Sequence, residues 1–484
     1  MENRTPVTPA PQHTLPRILG DFAQGDVARF HMPGHKGRGL GRFLPPEAAR
    51  CDVTELSMTD NLHAPEGCIA DTQLAVARAY GARASFLLVN GSTAALQAML
   101  LSLEPDDRLL LYRDCHRSAI SAAALAGVET VLETPGFDET AGLFAMPDAD
   151  ALSAALARTG ATAVLITSPN AYGYCADLPA LSAAAHAHGA LLLVDAAHGA
   201  HFPFCDALPP GAAGFADLWG HSQHKTLNAL TQAATLHLGD CRIPPERVQR
   251  ALSLLQTTSP SYLLMASIDW SVFMAARDDW RAHIRRCEAL RREIGAIAGL
   301  SAAPAPLRGA VACDPTRLVV DVSARNITGF AAMQALEHSG VFVEMADLTR
   351  LVLITSPADD PAWYPRLTAA LAALPYGRAG AAPAAQAAPP APAARRMPIR
   401  EASRARAAWV PLSRAAGRIA GETVGLYPPG VALCAPGEEI SQAQVDALLG
   451  AQRAGASLFG VRAGRVCVVD APQAAEREGA NGGS

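Results

Sequence analysis

The feature that most restricts the fold is a recurrent pairing of a short apolar run with a helical stretch. Such runs occur at Ala84-Ser85-Phe86-Leu87-Leu88-Val89, Arg108-Leu109-Leu110-Leu111-Tyr112, Ala163-Val164-Leu165-Ile166-Thr167, Ala190-Leu191-Leu192-Leu193-Val194 and Ala233-Ala234-Thr235-Leu236-His237-Leu238. Each is short, apolar and closed by Gly, Pro or polar residues, the mark of a buried strand. Helices are predicted before the first run, from about Ala70 to Tyr80, and between later ones, from Ala94 to Leu100 and from Leu178 to His188, the last stopped by Gly189. Strands that alternate with helices imply a mainly parallel sheet covered on both faces.

At 484 residues the chain exceeds one ordinary core. Residues 1–45 read as an N-terminal segment, Pro-rich and then weakly helical. Residues 46–298 read as the large domain, closed by one long helix from Leu263 to about Ile297. The pattern changes after Gly299. Strands at Arg317–Val322 and Leu351–Ile354 flank a helix from Gly329 to Ser339, which makes residues 299–378 a smaller α+β domain. The Ala/Pro-rich stretch 379–396 reads as an extended linker. A last domain spans 397–484, with a polar tail from Ala474 that is expected to fray.

Composition excludes several function classes. Half of the residues are hydrophobic and 18% are charged, as in a soluble globular protein. The net charge is -5 without a long basic block, so nothing points to nucleic acid. No apolar run is long enough to span a bilayer, and the N-terminus lacks the order of a signal peptide. The 10 cysteines contain no Cys-x-x-Cys pair, so no metal site is expected. Free buried thiols in a reducing cytoplasm fit best.

The strand ends carry the chemistry. The run Trp219-Gly220-His221-Ser222-Gln223-His224-Lys225-Thr226-Leu227 places a lysine beside apolar neighbours. A lysine in a partly apolar pocket has a lowered pKa and more of the nucleophilic amine, so Lys225 reads as a Schiff-base lysine for pyridoxal phosphate. Ser222 and His224 can offer donors to a phosphate beside it. Upstream, strand, Asn90-Gly91-Ser92-Thr93 turn and helix form an anion site or, equally, a plain helix cap. His116, just past a strand end, could stack on a cofactor ring. Asp195 ends the most apolar strand, where a carboxylate needs a partner; a pyridinium N–H is one. The loop Phe30-His31-Met32-Pro33-Gly34-His35-Lys36 is either a surface turn or a basic loop that meets an anion. Glu344 follows an apolar run and is either a placed acid or a surface carboxylate. Each feature alone is weak. Phosphate turn, histidine, aspartate and lysine in that order are far more specific together.

These motifs resemble the Orn/Lys/Arg decarboxylase family, in its compact bacterial form. The resemblance is carried by Pro33-Gly34-His35-Lys36, Asn90-Gly91-Ser92-Thr93, Cys115-His116, Asp195 to His201, Ser222-x-His224-Lys225, Ser259-Pro260-Ser261-Tyr262, Tyr427-Pro428-Pro429-Gly430 and the Pro-Gly-Glu stretch at Pro436. It implies an α/β large domain of PLP fold type I (aspartate aminotransferase-like), followed by a smaller α+β domain and a C-terminal α+β domain. It implies a cytoplasmic, pyridoxal phosphate-dependent decarboxylase of a basic amino acid, arginine before lysine or ornithine, in polyamine biosynthesis. It also implies a homodimer or higher homo-oligomer whose site is shared between subunits. By the same resemblance Ser92, Thr93, Ser222 and His224 would bind the cofactor phosphate, His116 would stack on the ring and Ala197 would pack its other face. Asp195 would pair with the ring nitrogen, His198 would lie beside the ring, and Lys225 would hold the cofactor. Catalytic roles fall to Lys225, His116, Asp195 and His224, and substrate contacts to Glu344, Asp347 and His35. The chain has Asp195-Ala196-Ala197-His198 where the family commonly has Asp-Glu-Ala-His.

Overall fold

In the computed structural model the described residues are 14–25, 29, 32–33, 35–38, 45–378, 387–392, 394–427 and 431–470. Most of the N-terminal segment, Pro428-Pro429-Gly430 and the tail from Ala474 lie outside them.

Seven strands form the central sheet: β1 (Ala84–Leu88), β2 (Arg108–Tyr112), β3 (Glu129–Glu133), β4 (Ala163–Thr167), β5 (Leu191–Asp195), β6 (Leu218–His221) and β7 (Ala234–Leu238). Their order across the sheet is β1-β7-β6-β5-β4-β2-β3. Only β7 runs against its two neighbours; the other pairs are parallel. The mainly parallel sheet expected from the sequence is therefore present.

Alternation along the strands builds two cores. Leu109, Leu111, Leu165, Leu193, Leu218 and Leu236 pack on the face that also holds Leu96, Met99, Ile120 and Leu252 from helices Gly91–Leu101, Arg117–Ala126 and Pro245–Leu255. Leu110, Val164, Ile166, Leu192 and Val194 point the other way, toward helices Ala149–Thr159 and Leu178–Ala187. Burial on both faces explains why these strands read as continuous apolar runs. Gly220 lets the first helix approach β6: a Cβ there would stand 2.8 Å from Ala95 Cβ.

The helix expected from Leu263 to Ile297 is two helices, Tyr262–Ala275 and Trp280–Gly295. The break is set by Asp279, whose carboxylate accepts from Ala282 N at 2.9 Å and so starts a new helix. The second helix contributes Cys287, Leu290 and Ile294 to the small-domain core, with Leu318, Val320, Leu336 and Leu351. This helix thus packs on the small domain although it precedes residue 299. Its sheet pairs Arg317–Asp321 with Arg350–Ile354, and the latter with Met345–Ala346.

The C-terminal part folds around Leu412, Val424, Leu433, Val445 and Val466. It is not merely tethered. Ile399, Ala432 and Ala435 join the large-domain core. The end of the expected linker is already pinned, since Arg396 N donates to Gly437 O at 2.8 Å and Glu439 N to Ala394 O at 3.1 Å.

Candidate active site

All the strands that carry candidate site residues deliver them at their carboxyl ends, where open α/β sheets bind ligands. Ser92 follows β1, Asp114 and His116 follow β2, Thr167 ends β4, Asp195 ends β5, and Lys225 follows β6. One cavity is lined by Ser92, Asp114, His116, Thr167, Asp195, Ala197, His198 and Lys225, with Tyr172, and Val431 from the C-terminal domain.

At one end of it two hydroxyls converge: Ser222 Oγ donates to Ser92 Oγ at 2.8 Å. Ser92 and Thr93 open the helix Gly91–Leu101, whose N-cap Asn90 makes no side-chain cap bond. Gly91 N is taken by Gln232 O at 2.9 Å, so an anion at this end would meet the amides and hydroxyls of Ser92 and Thr93. His224 Nδ1 bonds Ala233 O at 2.9 Å, which leaves its other ring nitrogen for a ligand.

Across the cavity His116 caps the helix Arg117–Ala126. Its Nδ1 meets Ser118 Oγ at 2.6 Å and Ser118 N at 3.3 Å. The ring is thereby fixed at the cavity, and burial holds its pKa below the usual imidazole value, with the neighbouring Asp195 opposing. Asp195 is buried, and Ala197 N donates to its Oδ1 at 3.2 Å. Thr167 Oγ1 is buried, faces the same cavity and has no partner. Burial pushes the carboxyl of Asp114 up to about 6.

Lys225 is held below the ordinary lysine range by burial, with Asp195 and Glu344 opposing. Its Nζ is 3.1 Å from His198 Nε2. A second, adjoining cavity is lined by His224, Lys225, Thr226, Glu344, Thr355 and Ser356. Glu344 therefore stands on the small-domain side of the lysine.

Two expected substrate contacts are placed elsewhere. Asp347 is spent on the fold: Oδ1 accepts from Thr349 N and Arg350 N at 2.9 and 2.8 Å, and Oδ2 from Tyr172 OH and Arg350 Nε at 2.8 and 2.9 Å. With four donors on two buried oxygens, its carboxylate is fully engaged within the fold. His35 lines neither cavity; its Nε2 is 3.2 Å from Asp52 Oδ2. Its neighbours Phe30, His31 and Gly34 lie outside the described residues. Arg350 is the ion-pair partner of Asp347.

Sequence reasoning missed two arginines. Arg317, from the small domain, reaches His198. Arg113, at the end of β2, makes a two-pronged bond with Glu438 of the C-terminal domain. Its Nη1 is 3.1 Å from Oε2, and Nη2 donates to Oε1. Both side chains are almost fully buried. The pair ties the C-terminal domain to the segment that carries Asp114 and His116. Glu438→Gln is expected to cost about 3–5 kcal/mol of stability, because it strands a buried guanidinium. Chemical denaturation reads this. The double variant Arg113→Met/Glu438→Leu should recover much of the loss; a Glu438→Gln protein as stable as the parent rejects the clamp.

The residues present fit pyridoxal phosphate: a hydroxyl pair at a helix start for the phosphate, a buried carboxylate for the ring nitrogen, an unpartnered threonine hydroxyl and a lysine with a lowered pKa. Among the described residues no cluster of metal-ligating side chains occurs, and no helix is long and apolar enough to cross a membrane. None of the ten cysteines forms a disulfide.

Known proteins resemble this chain over most of its length. The family model for the Orn/Lys/Arg decarboxylase major domain matches residues 14–303, and that for the family's C-terminal domain matches residues 382–462. An arginine decarboxylase of Bacillus subtilis is 31% identical over 455 residues, covering 90% of this chain and 93% of that one. An arginine decarboxylase of Halalkalibacterium halodurans is 32% identical over 458 residues, with coverages of 90% and 93%. The fold is similar to that of the constitutive lysine decarboxylase of E. coli, with a TM-score of 0.80 at 19% identity, covering 96% of this chain and 82% of that one.

Proposed function

The chain belongs to the Orn/Lys/Arg decarboxylase family, and on that premise we propose that it removes carbon dioxide from a basic amino acid, arginine ahead of lysine and ornithine. The observation that carries this reading is the cavity in which Lys225, Asp195, His116 and Ser92 meet. The names of the curated relatives favour arginine. Pyridoxal phosphate, when bound, supplies the electron sink for the bond to the departing carboxylate.

The chain's own residues do the rest. Lys225 would hold the cofactor through its Nζ. Ser92, Thr93, Ser222 and His224 would take the phosphate, and Thr167 offers a further hydroxyl. Asp195 would keep a proton on the ring nitrogen, where a buried anion is most effective. His116 and Ala197 would bracket the ring, and the small side chain of Ala197 leaves room for it. Glu344 would receive the cationic end of the substrate. Lys225 or His224 would return a proton to the substrate carbon.

Localisation in the cytoplasm, a role in polyamine synthesis, and a homodimer that completes the site with His35 belong to the same proposal. Purified protein supplied with cofactor and offered arginine, lysine and ornithine separately should release carbon dioxide and the matching amine, fastest from arginine. Transfer of the amino group to a keto acid without gas release would point to an aminotransferase on the same fold and reject the proposal.

A further inference from the structure

His198 stands between two basic side chains. Its Nε2 is 3.1 Å from Lys225 Nζ, and its Nδ1 is 3.3 Å from Arg317 Nη2. The three arrive from the loop after β5, the one-turn helix Gln223–Thr226 after β6 and the first residue of the small-domain strand. Arg317 is 2% exposed, and its Nε and Nη1 have no hydrogen-bond partner. It lines neither cavity. The carboxylates of Asp314 and Glu344 favour its charge, but a buried guanidinium with unmade bonds is still costly, so its position needs a further cause.

Counting donors and acceptors supplies one. A guanidinium only donates, so Nδ1 of His198 must accept and carries no proton. The neutral imidazole then has its one proton on Nε2, directed at Lys225. An ammonium cannot accept that proton; a free amine can. We infer that Arg317 is a positioning residue that locks His198 in the Nε2–H tautomer and so holds Lys225 as the neutral amine whenever its Nζ is not covalently engaged. The free amine is the nucleophilic form. The inference rests on the reading of Lys225 as the reacting lysine. Other charges face the pair: Asp195 and Glu344 favour a charged Lys225 and Arg317 opposes it, while His116 and His201 disfavour a charged His198. Burial is the largest influence on both and favours the neutral forms.

The test is the pH dependence of Lys225 acetylation in the full chain stripped of cofactor, read by peptide mass spectrometry after short pulses of acetic anhydride. The sequence has two lysines, Lys36 and Lys225, so Lys36 serves as an internal reference. Arg317→Met should move the Lys225 midpoint up by about one pH unit, roughly a tenfold loss of free amine at a given pH below it. Arg317→Lys, still donor-only, should restore the parental midpoint. His198→Phe should raise the midpoint too, and adding Arg317→Met to it should change little. Should Arg317→Met unfold, Arg317→Gln takes its place, since an amide can accept from Nδ1–H and so releases the lock. An equal rise with and without His198 would mean that Arg317 acts through space by its charge, and overturns the relay. An unchanged midpoint in the Arg317 variants overturns it as well. The measurement needs neither cofactor nor substrate, so its outcome is separate from that of the gas-release assay.

Discussion

Lys225→Ala is expected to lower turnover by on the order of 10³-fold or more, the scale of losing a nucleophile that also serves in proton transfer. The variant should still fold, because the side chain adds little to either core and its partner His198 stays supported by Arg317. It should also still bind the cofactor, through Ser92, Ser222 and Asp195, but reversibly. The parent, reduced with borohydride and mapped, should carry the pyridoxyl group on Lys225. Composition makes this test sharp. Of 40 basic side chains two are lysine, and the rest are arginine. Arginine stays charged at any working pH and cannot serve as a neutral amine. Label on Lys36, or a Lys225→Ala protein with parental turnover, rejects the assignment.

Much of the fold was legible because the sheet is buried on both faces. Strands such as Leu191–Asp195 then have no polar side to blur the pattern, and the residue at each carboxyl end stands out. That is why Asp195, His116 and Lys225 could be named from the order of motifs. What could not be read are contacts that join distant parts of the chain. Arg317 meets His198 across 119 positions, and Arg113 meets Glu438 across 325. Neither arginine differs locally from a surface residue. The near absence of lysine was an available signal, and it singles out Lys225 with little else. The break at Asp279 was also available, since an aspartate three residues before Ala282 is a helix start.

Glu344 and Asp347 sit three positions apart and should fail in different ways. Glu344 lines the cavity beside Lys225, is exposed, and among the described residues accepts no hydrogen bond that would tie its carboxylate to the fold. Its removal should leave stability within about 0.5 kcal/mol. A substrate guanidinium or ammonium would cover it and pair with it. Loss of that charge-assisted contact costs about 2–5 kcal/mol when the pair is desolvated. Exposure of Glu344 places the expectation at the lower end, about 2 kcal/mol, or roughly thirty-fold in kcat/KM. The loss should fall on the basic substrate, with cofactor binding unchanged. Asp347→Asn should do the reverse. Its carboxylate holds Arg350 and Tyr172 in the interior, so the variant should lose about 3 kcal/mol of stability. Turnover per folded molecule should change far less. Thermal unfolding and steady-state kinetics on the two variants separate the roles. A Glu344→Gln protein with parental kcat/KM would make Glu344 a surface carboxylate and remove the anchor for a basic substrate. A stable Asp347→Asn protein with a raised KM would return Asp347 to the substrate side.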